Sequence, residues 1–255
     1  MFRKYIFLLM TLAVPAVLAV HGQILKDTAS IRLLKEGVDD IYGFRFAEAR
    51  QTARNLAEVY PDHPVLYLYN GMLTYWSNHP LTPMSQASDL FENDMTTCIR
   101  LCENEQDQEN YAEYLLANLG ARGMLLMYYA DNNLQSKINP MVMDTYRYIR
   151  ESFNYATVYP DFNFFTGLYN YYREAYPEAH PIYKVIAFLF PRGDRIKGIS
   201  EMQNAAFNSI MLKAEAYSFL AEDVRSENSQ LLKLIDTVFR HLEDRGIHAM
   251  DRGGD

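Results

Sequence analysis

Apolar residues recur at helical spacing along nearly the whole chain, and two-residue alternation bounded by turns is almost absent. Phe46, Ala49, Ala53, Leu56 and Tyr60 step by 3, 4, 3, 4. Val142, Tyr146, Ile149, Phe153 and Ala156 step by 4, 3, 4, 3, as do Ile210, Ala214, Tyr217, Ala221 and Val224. Such steps put each series on one face of a helix. Punctuation falls between them. Gly43, Pro61 with Pro64, the polar breaks at 104–108 and 131–133, Asn139-Pro140, Pro160-Asp161 and Pro177 with Pro181 separate the segments. Thr82-Pro83 reads as a cap followed by proline at the first helical position, and Gly193-Asp194 as a stop followed by a cap. The pattern predicts an all-α chain of about ten helices, roughly 12–24 residues each, joined by short connections.

The start of the chain has a different character. Arg3 and Lys4 precede an apolar stretch at 5–20, and Val20-His21-Gly22 forms a small-residue cleavage site, with Val17-Leu18-Ala19 as a second option. Sixteen residues at about 1.5 Å each fall short of a bilayer core of roughly 30 Å. The layout predicts a secretory signal peptide over 1–22, cut before Gln23, and therefore an exported, periplasmic or envelope-associated protein.

Two features suggest a repeat. Val59-Tyr60-Pro61-Asp62 returns as Val158-Tyr159-Pro160-Asp161, and Gly37 and Gly71 stand 34 residues apart. That period resembles the tetratricopeptide repeat (TPR), a helix–turn–helix unit. With Gly37 as the small residue of the first helix, Phe46, Ala49 and Pro61 fall where the repeat prefers an aromatic, an alanine and a proline. A small residue lets two helices approach closely, and proline ends the second helix. Gly71 holds the small position of a second unit, and Ala117, Gly120 and Gly123 are the expected close-packing positions of a third. The strings Phe164-Phe165-Thr166-Gly167-Leu168-Tyr169 and Pro191-Arg192-Gly193-Asp194-Arg195 resemble exported bacterial TPR-containing proteins, and the Gly193-Asp194-Arg195…Gly198 element is more faintly similar to eukaryotic TPR-like proteins. The resemblance implies a right-handed α-solenoid of antiparallel TPR-like hairpins over 23–243, followed by a flexible tail at 244–255. It carries no catalytic residues.

The chemistry-bearing residues give a spare picture. Cys98 and Cys102 lie four apart on an apolar stripe with Phe91 and Met95. Their β-carbons would sit about 5–6 Å apart, too far for an unstrained bridge, so buried free thiols are expected. Arg192-Gly193-Asp194 spells an adhesion tripeptide, but Asp194 is better placed to cap a helix. His63, His79, His180, His241 and His248 are scattered without metal-ligand spacing, and no nucleophile elbow or phosphate loop occurs. Paired carboxylates such as Asp39 with Asp40 and Glu174 with Glu178 read as a solvated face. No cofactor or metal is expected. A net charge of −8 argues against nucleic acid as a partner.

Tyrosine is the informative residue. Of 20 in the chain, 13 lie between Tyr111 and Tyr183. Most are expected to fill interhelix gaps; a groove lined by aromatics is the functional alternative. The sequence therefore predicts a non-catalytic module binding a protein or peptide, through a concave face carrying Tyr67, Asn70, Tyr114, Asn118, Tyr169 and Arg173. A carbohydrate-binding helical protein is the second reading and a helical glycan-cleaving enzyme the third. The last apolar rows, Leu232, Ile235, Phe239, Leu242 and Leu231, Leu234, Val238, suggest self-association or docking through the C-terminal helix.

Overall fold

The computed structural model describes residues 23–104, 110–181, 184–221 and Arg240. The expected signal peptide, the C-terminal apolar rows and the tail lie outside the described residues. Among the described residues the protein is helical, without strands. Its elements are α1 (Thr28–Tyr42), α2 (Phe46–Val59), α3 (Pro64–Ser77), α4 (Gln86–Glu103), α5 (Tyr111–Asp131), α6 (Gln135–Ile138), α7 (Val142–Ser152), α8 (Phe162–Ala179), α9 (Lys184–Ala187), α10 (Arg195–Asn208) and α11 (Lys213–Ala221). A 3₁₀ turn, Asn139–Met141, joins α6 to α7. Among the described residues nine helices have nine residues or more, whereas α6 and α9 are single turns of four; these two, with α7 at 11 and α11 at nine, are shorter than expected.

Local chemistry starts several of these helices. The Asp27 carboxylate accepts from the Ser30 amide at 2.8 Å and opens α1; these bonds to Ser30 hold its carboxyl below the usual range. Pro64 occupies the first turn of α3 behind His63. The Asp194 carboxylate accepts from the Lys197 amide at 3.0 Å and opens α10, as the sequence suggested.

Other boundaries differ from expectation. Thr82-Pro83 does not start α4. Met84 adopts φ 61°, and the helix begins behind Ser85, which exchanges hydrogen bonds with Ser88. A left-handed residue cannot be continued as a right-handed helix. The series ending at Ala156 predicts a longer α7, but the chain tightens after Ser152, where the amides of Asn154 and Tyr155 bond three residues back. α8 runs through Pro177 to Ala179, because a proline in the last turn removes only one bond.

Packing proceeds between neighbours in sequence. α1 packs on α2, α2 on α3, α3 on α4 and α4 on α5; α3 also touches both α1 and α5. α5 is buried on nearly every side and forms the centre of the main core. A second core joins the C-terminal half of α8 to α10 and α11 through Tyr171, Tyr172, Tyr176, Met202, Ala205 and Phe219. Glycine governs the crossing of α8 and α10. A β-carbon at Gly198 would lie 2.7 Å from the Tyr171 backbone nitrogen and 2.8 Å from the Gly167 carbonyl, so α8 and α10 meet backbone to backbone. Gly37 serves a similar purpose against Thr52 and Tyr69, and Gly120 against Leu68. Gly123 does not; its β-carbon would meet nothing within 4 Å.

Candidate functional site

The six residues expected to line a groove fall on three helices. Tyr67 and Asn70 are half-buried on α3. On α5, Tyr114 is buried with its ring edge-on to His63 at 5.3 Å. Asn118, also buried, accepts from the Arg122 Nε at 2.7 Å. Arg122 in turn donates to Glu103 at 2.6 Å and lies over the Tyr148 ring. On α8, the Tyr169 hydroxyl donates to the Pro191 carbonyl at 2.6 Å, and Arg173 donates to the Phe190 carbonyl at 3.0 Å. Burial pushes the Tyr169 phenol up to about 12. Tyr169 and Arg173 therefore converge on one loop, while the pairs on α3 and α5 have other neighbours.

Three acids whose carboxylate oxygens reach the interior, none of them a site candidate in the sequence, organise it. Glu113 is 3% exposed and accepts from the amides of Ile24 and Leu25 at 3.1 and 2.8 Å. His63 Nε2 lies 3.1 Å from the same carboxylate. Because His63 Nδ1 accepts from the Val65 amide, the ring proton belongs on Nε2 and points at Glu113. The cluster pins residues 23–27 and the start of α3 to α5. A lone glutamate inside the apolar run 112–117 was its only trace in the sequence.

Asp161 accepts from three consecutive amides, those of Ile210, Met211 and Leu212, at 2.8, 2.7 and 3.2 Å. Burial pushes its carboxyl up, and these three donors partly offset that rise. The anchor sets where α11 begins and how it is rotated. Its buried residues are Ala216 and Phe219, preceded by Leu212, and Tyr217 of the expected apolar face is 42% exposed. Val224 lies outside the described residues. The repeated tetrapeptide thus has unlike fates, since Asp62 is exposed and Asp161 is buried.

Glu215 on α11 receives a hydrogen bond from the Tyr42 hydroxyl of α1. Burial pushes its carboxyl up to about 7, against a lowering by Tyr42 and a further rise from nearby Asp161. Burial and the Glu215 charge push the Tyr42 phenol well up in turn. Glu215 Oε2 is buried without a hydrogen-bond partner. It borders a cavity of about 20 Å³ walled by Leu68, Met72, Leu116, Gly120, Met124 and Met211. The group can take up a proton near neutrality beside space for about one water.

The remaining sequence candidates are held by ordinary partners. Asp40 pairs with Arg45 at 2.7 Å, Glu174 accepts from the Gly193 amide at 3.0 Å, and Glu178 pairs with Arg195 at 3.5 Å. Cys98 and Cys102 are free and buried, and burial together with Cys98 pushes the Cys102 thiol well up. Among the described residues, no three His, Cys, Asp or Glu side chains are grouped to hold a metal, and no helix is long and apolar enough to cross a membrane. Large apolar side chains are nevertheless exposed, including Phe44, Met84, Phe188, Leu189, Ile196 and Phe207. Comparison with family models, characterised proteins and solved structures returns no match.

Proposed function

We propose that this chain is an exported, non-catalytic scaffold of TPR-like hairpins, stacked as a right-handed α-solenoid, that binds a protein or peptide partner in the cell envelope. The order of helix packing carries the reading. Each of α1 to α4 packs on the next helix, and α3 touches α1 and α5 across the intervening ones. Hairpins laid side by side have this neighbour pattern, with their first helices forming a row that presents an extended face. The close approaches at Gly37 and Gly120 are the kind such stacking needs. Tyr67 and Asn70, half-buried on the middle helix of the row, would contact a ligand laid along it.

A photo-crosslinking amino acid at Tyr67 or at Asn70, in cells producing the chain, tests this reading. The expected result is one discrete adduct shared by both positions and missing when the probe replaces Glu58, which is exposed on α2. Equal labelling at all three positions, or no adduct at Tyr67 and Asn70, would overturn it.

A further inference from the structure

The stretch 184–197 departs from the acidic character of the rest. It holds Lys184, Arg192, Arg195 and Lys197 against the single carboxylate of Asp194, in a chain of net charge −8. All four cations are exposed. Arg195 and Lys197 reach Glu178 and Glu201 at 3.5 and 3.7 Å, partnerships that solvent weakens. Among them stand Phe188, Leu189 and Ile196, which are 82%, 66% and 83% exposed. Scattered apolar side chains on a surface are ordinary, but three this exposed within nine residues of sequence are a reason to look for a contact.

The turn bearing them is held firmly. Tyr169 and Arg173 grip the carbonyls of Pro191 and Phe190, and Glu174 takes the Gly193 amide. The Phe190 ring tucks edge-on against Tyr146 at 4.9 Å. At Gly193 a β-carbon would lie 2.4 Å from the Asn170 carbonyl, so glycine lets the loop lie flat on α8. Phe190 thus faces the body, whereas Phe188 and Leu189 face away from it.

We propose that this turn docks the protein on an anionic lipid surface. Phe188, Leu189 and Ile196 enter the boundary between headgroups and acyl chains, and Lys184 and Arg192, the two cations without a carboxylate partner among the described residues, meet lipid phosphates. Exposed apolar side chains flanked in sequence by Lys and Arg suit the two layers of such a surface, the long cationic stems reaching back to the phosphates. A protein of net charge −8 is repelled by an anionic bilayer unless local cations face it. Arg195 and Lys197 are offset by Glu178 and Glu201, whereas Lys184 and Arg192 are exposed and make no ion pair among the described residues, and these two supply the attraction. A protein partner would need an acidic rim around an apolar pocket; the bilayer needs only a flat approach. The inference is independent of the scaffold proposal, which places its partner along α1, α3 and α5.

The test is co-sedimentation of the chain, as purified from producing cells, with vesicles of phosphatidylcholine alone and of phosphatidylcholine mixed with phosphatidylglycerol. The variants are F188S/L189S, K184E/R192E and, as a control at another exposed apolar residue, F207S. Circular dichroism melting confirms that each is folded, which the exposure of all five positions favours. The expected result is salt-sensitive binding to the anionic vesicles, weakened about tenfold or more in each double variant and unchanged in F207S. Failure of the unaltered chain to bind anionic vesicles would overturn the proposal. So would unweakened binding by F188S/L189S, or binding that F207S weakens equally. Loss of a co-purifying protein in the double variants, without vesicle binding by the unaltered chain, would reassign the turn to a protein interface.

Discussion

Glu215 makes the stability of this protein depend on pH in a direction opposite to that of most carboxylates. Its ordinary value of 4.5 is raised to about 7, chiefly by burial. The folded state therefore holds the proton more tightly than the unfolded chain does. The contribution is fully present below about 4.5 and is lost as pH rises through 7. At about 1.4 kcal/mol per pH unit, the full loss is about 3 kcal/mol, a large part of the 5–15 kcal/mol typical of a domain. The mechanism is visible around the group. When Glu215 ionises, Tyr42 donates to one oxygen while Oε2 faces an apolar cavity without a donor, and Asp161 repels the charge. Denaturant unfolding at steps between pH 4.5 and 8 would be compared for the unaltered chain and Glu215→Gln. The glutamine preserves shape and removes the titration. The expected difference between the two curves grows by up to about 3 kcal/mol in favour of Glu215→Gln as pH rises. Tyr42→Phe, which deletes the lowering contact, should move the midpoint of that difference to higher pH. A difference flat within error across the range would refute the account of the buried carboxyl.

Three further outcomes follow from the same geometry. Gly198→Ala should cost about 1–3 kcal/mol, because its β-carbon meets backbone atoms of α8 that cannot move aside, whereas Gly123→Ala should gain about 0.5–1 kcal/mol; thermal melts of the two variants make the comparison. Cys98 and Cys102 should resist alkylation until the protein is denatured, as read by mass spectrometry; rapid labelling of the native protein would contradict their burial. Glu113→Ala should speed hydrogen exchange at the Ile24 and Leu25 amides about tenfold or more while leaving α10 unchanged, since it removes their shared acceptor.

Much of the helical layout was legible in the sequence because its causes are local. Proline at the start of α3, Asp194 before α10 and the glycine after α1 act within one turn of the chain. The stripe of Phe91, Met95, Cys98 and Cys102 was legible for the same reason, and all four are buried. Where local signals competed, spacing failed. Thr82-Pro83 looked like a helix start until the left-handed Met84 intervened, and Gly123 resembled Gly120 although only Gly120 has a helix pressed against it.

The interior polar contacts are another matter. Glu113 bonds residues 88 and 89 positions away, Asp161 reaches across 49 to 51, and Tyr42 meets Glu215 across 173. Periodicity tells which residues share a helix face; it does not tell which neighbour that face meets. The rotation of α11 shows the consequence. Its sequence offers Ile210, Ala214, Tyr217 and Ala221 as one apolar row, yet three amides held by a distant aspartate turn Tyr217 outward and Phe219 inward. The sequence by itself determined a helical chain and the starts of helices such as α3 and α10, whose signals are local. The tertiary structure decided which acids are buried, how α11 faces and which apolar residues remain exposed, because each depends on surfaces that meet only after the chain has folded.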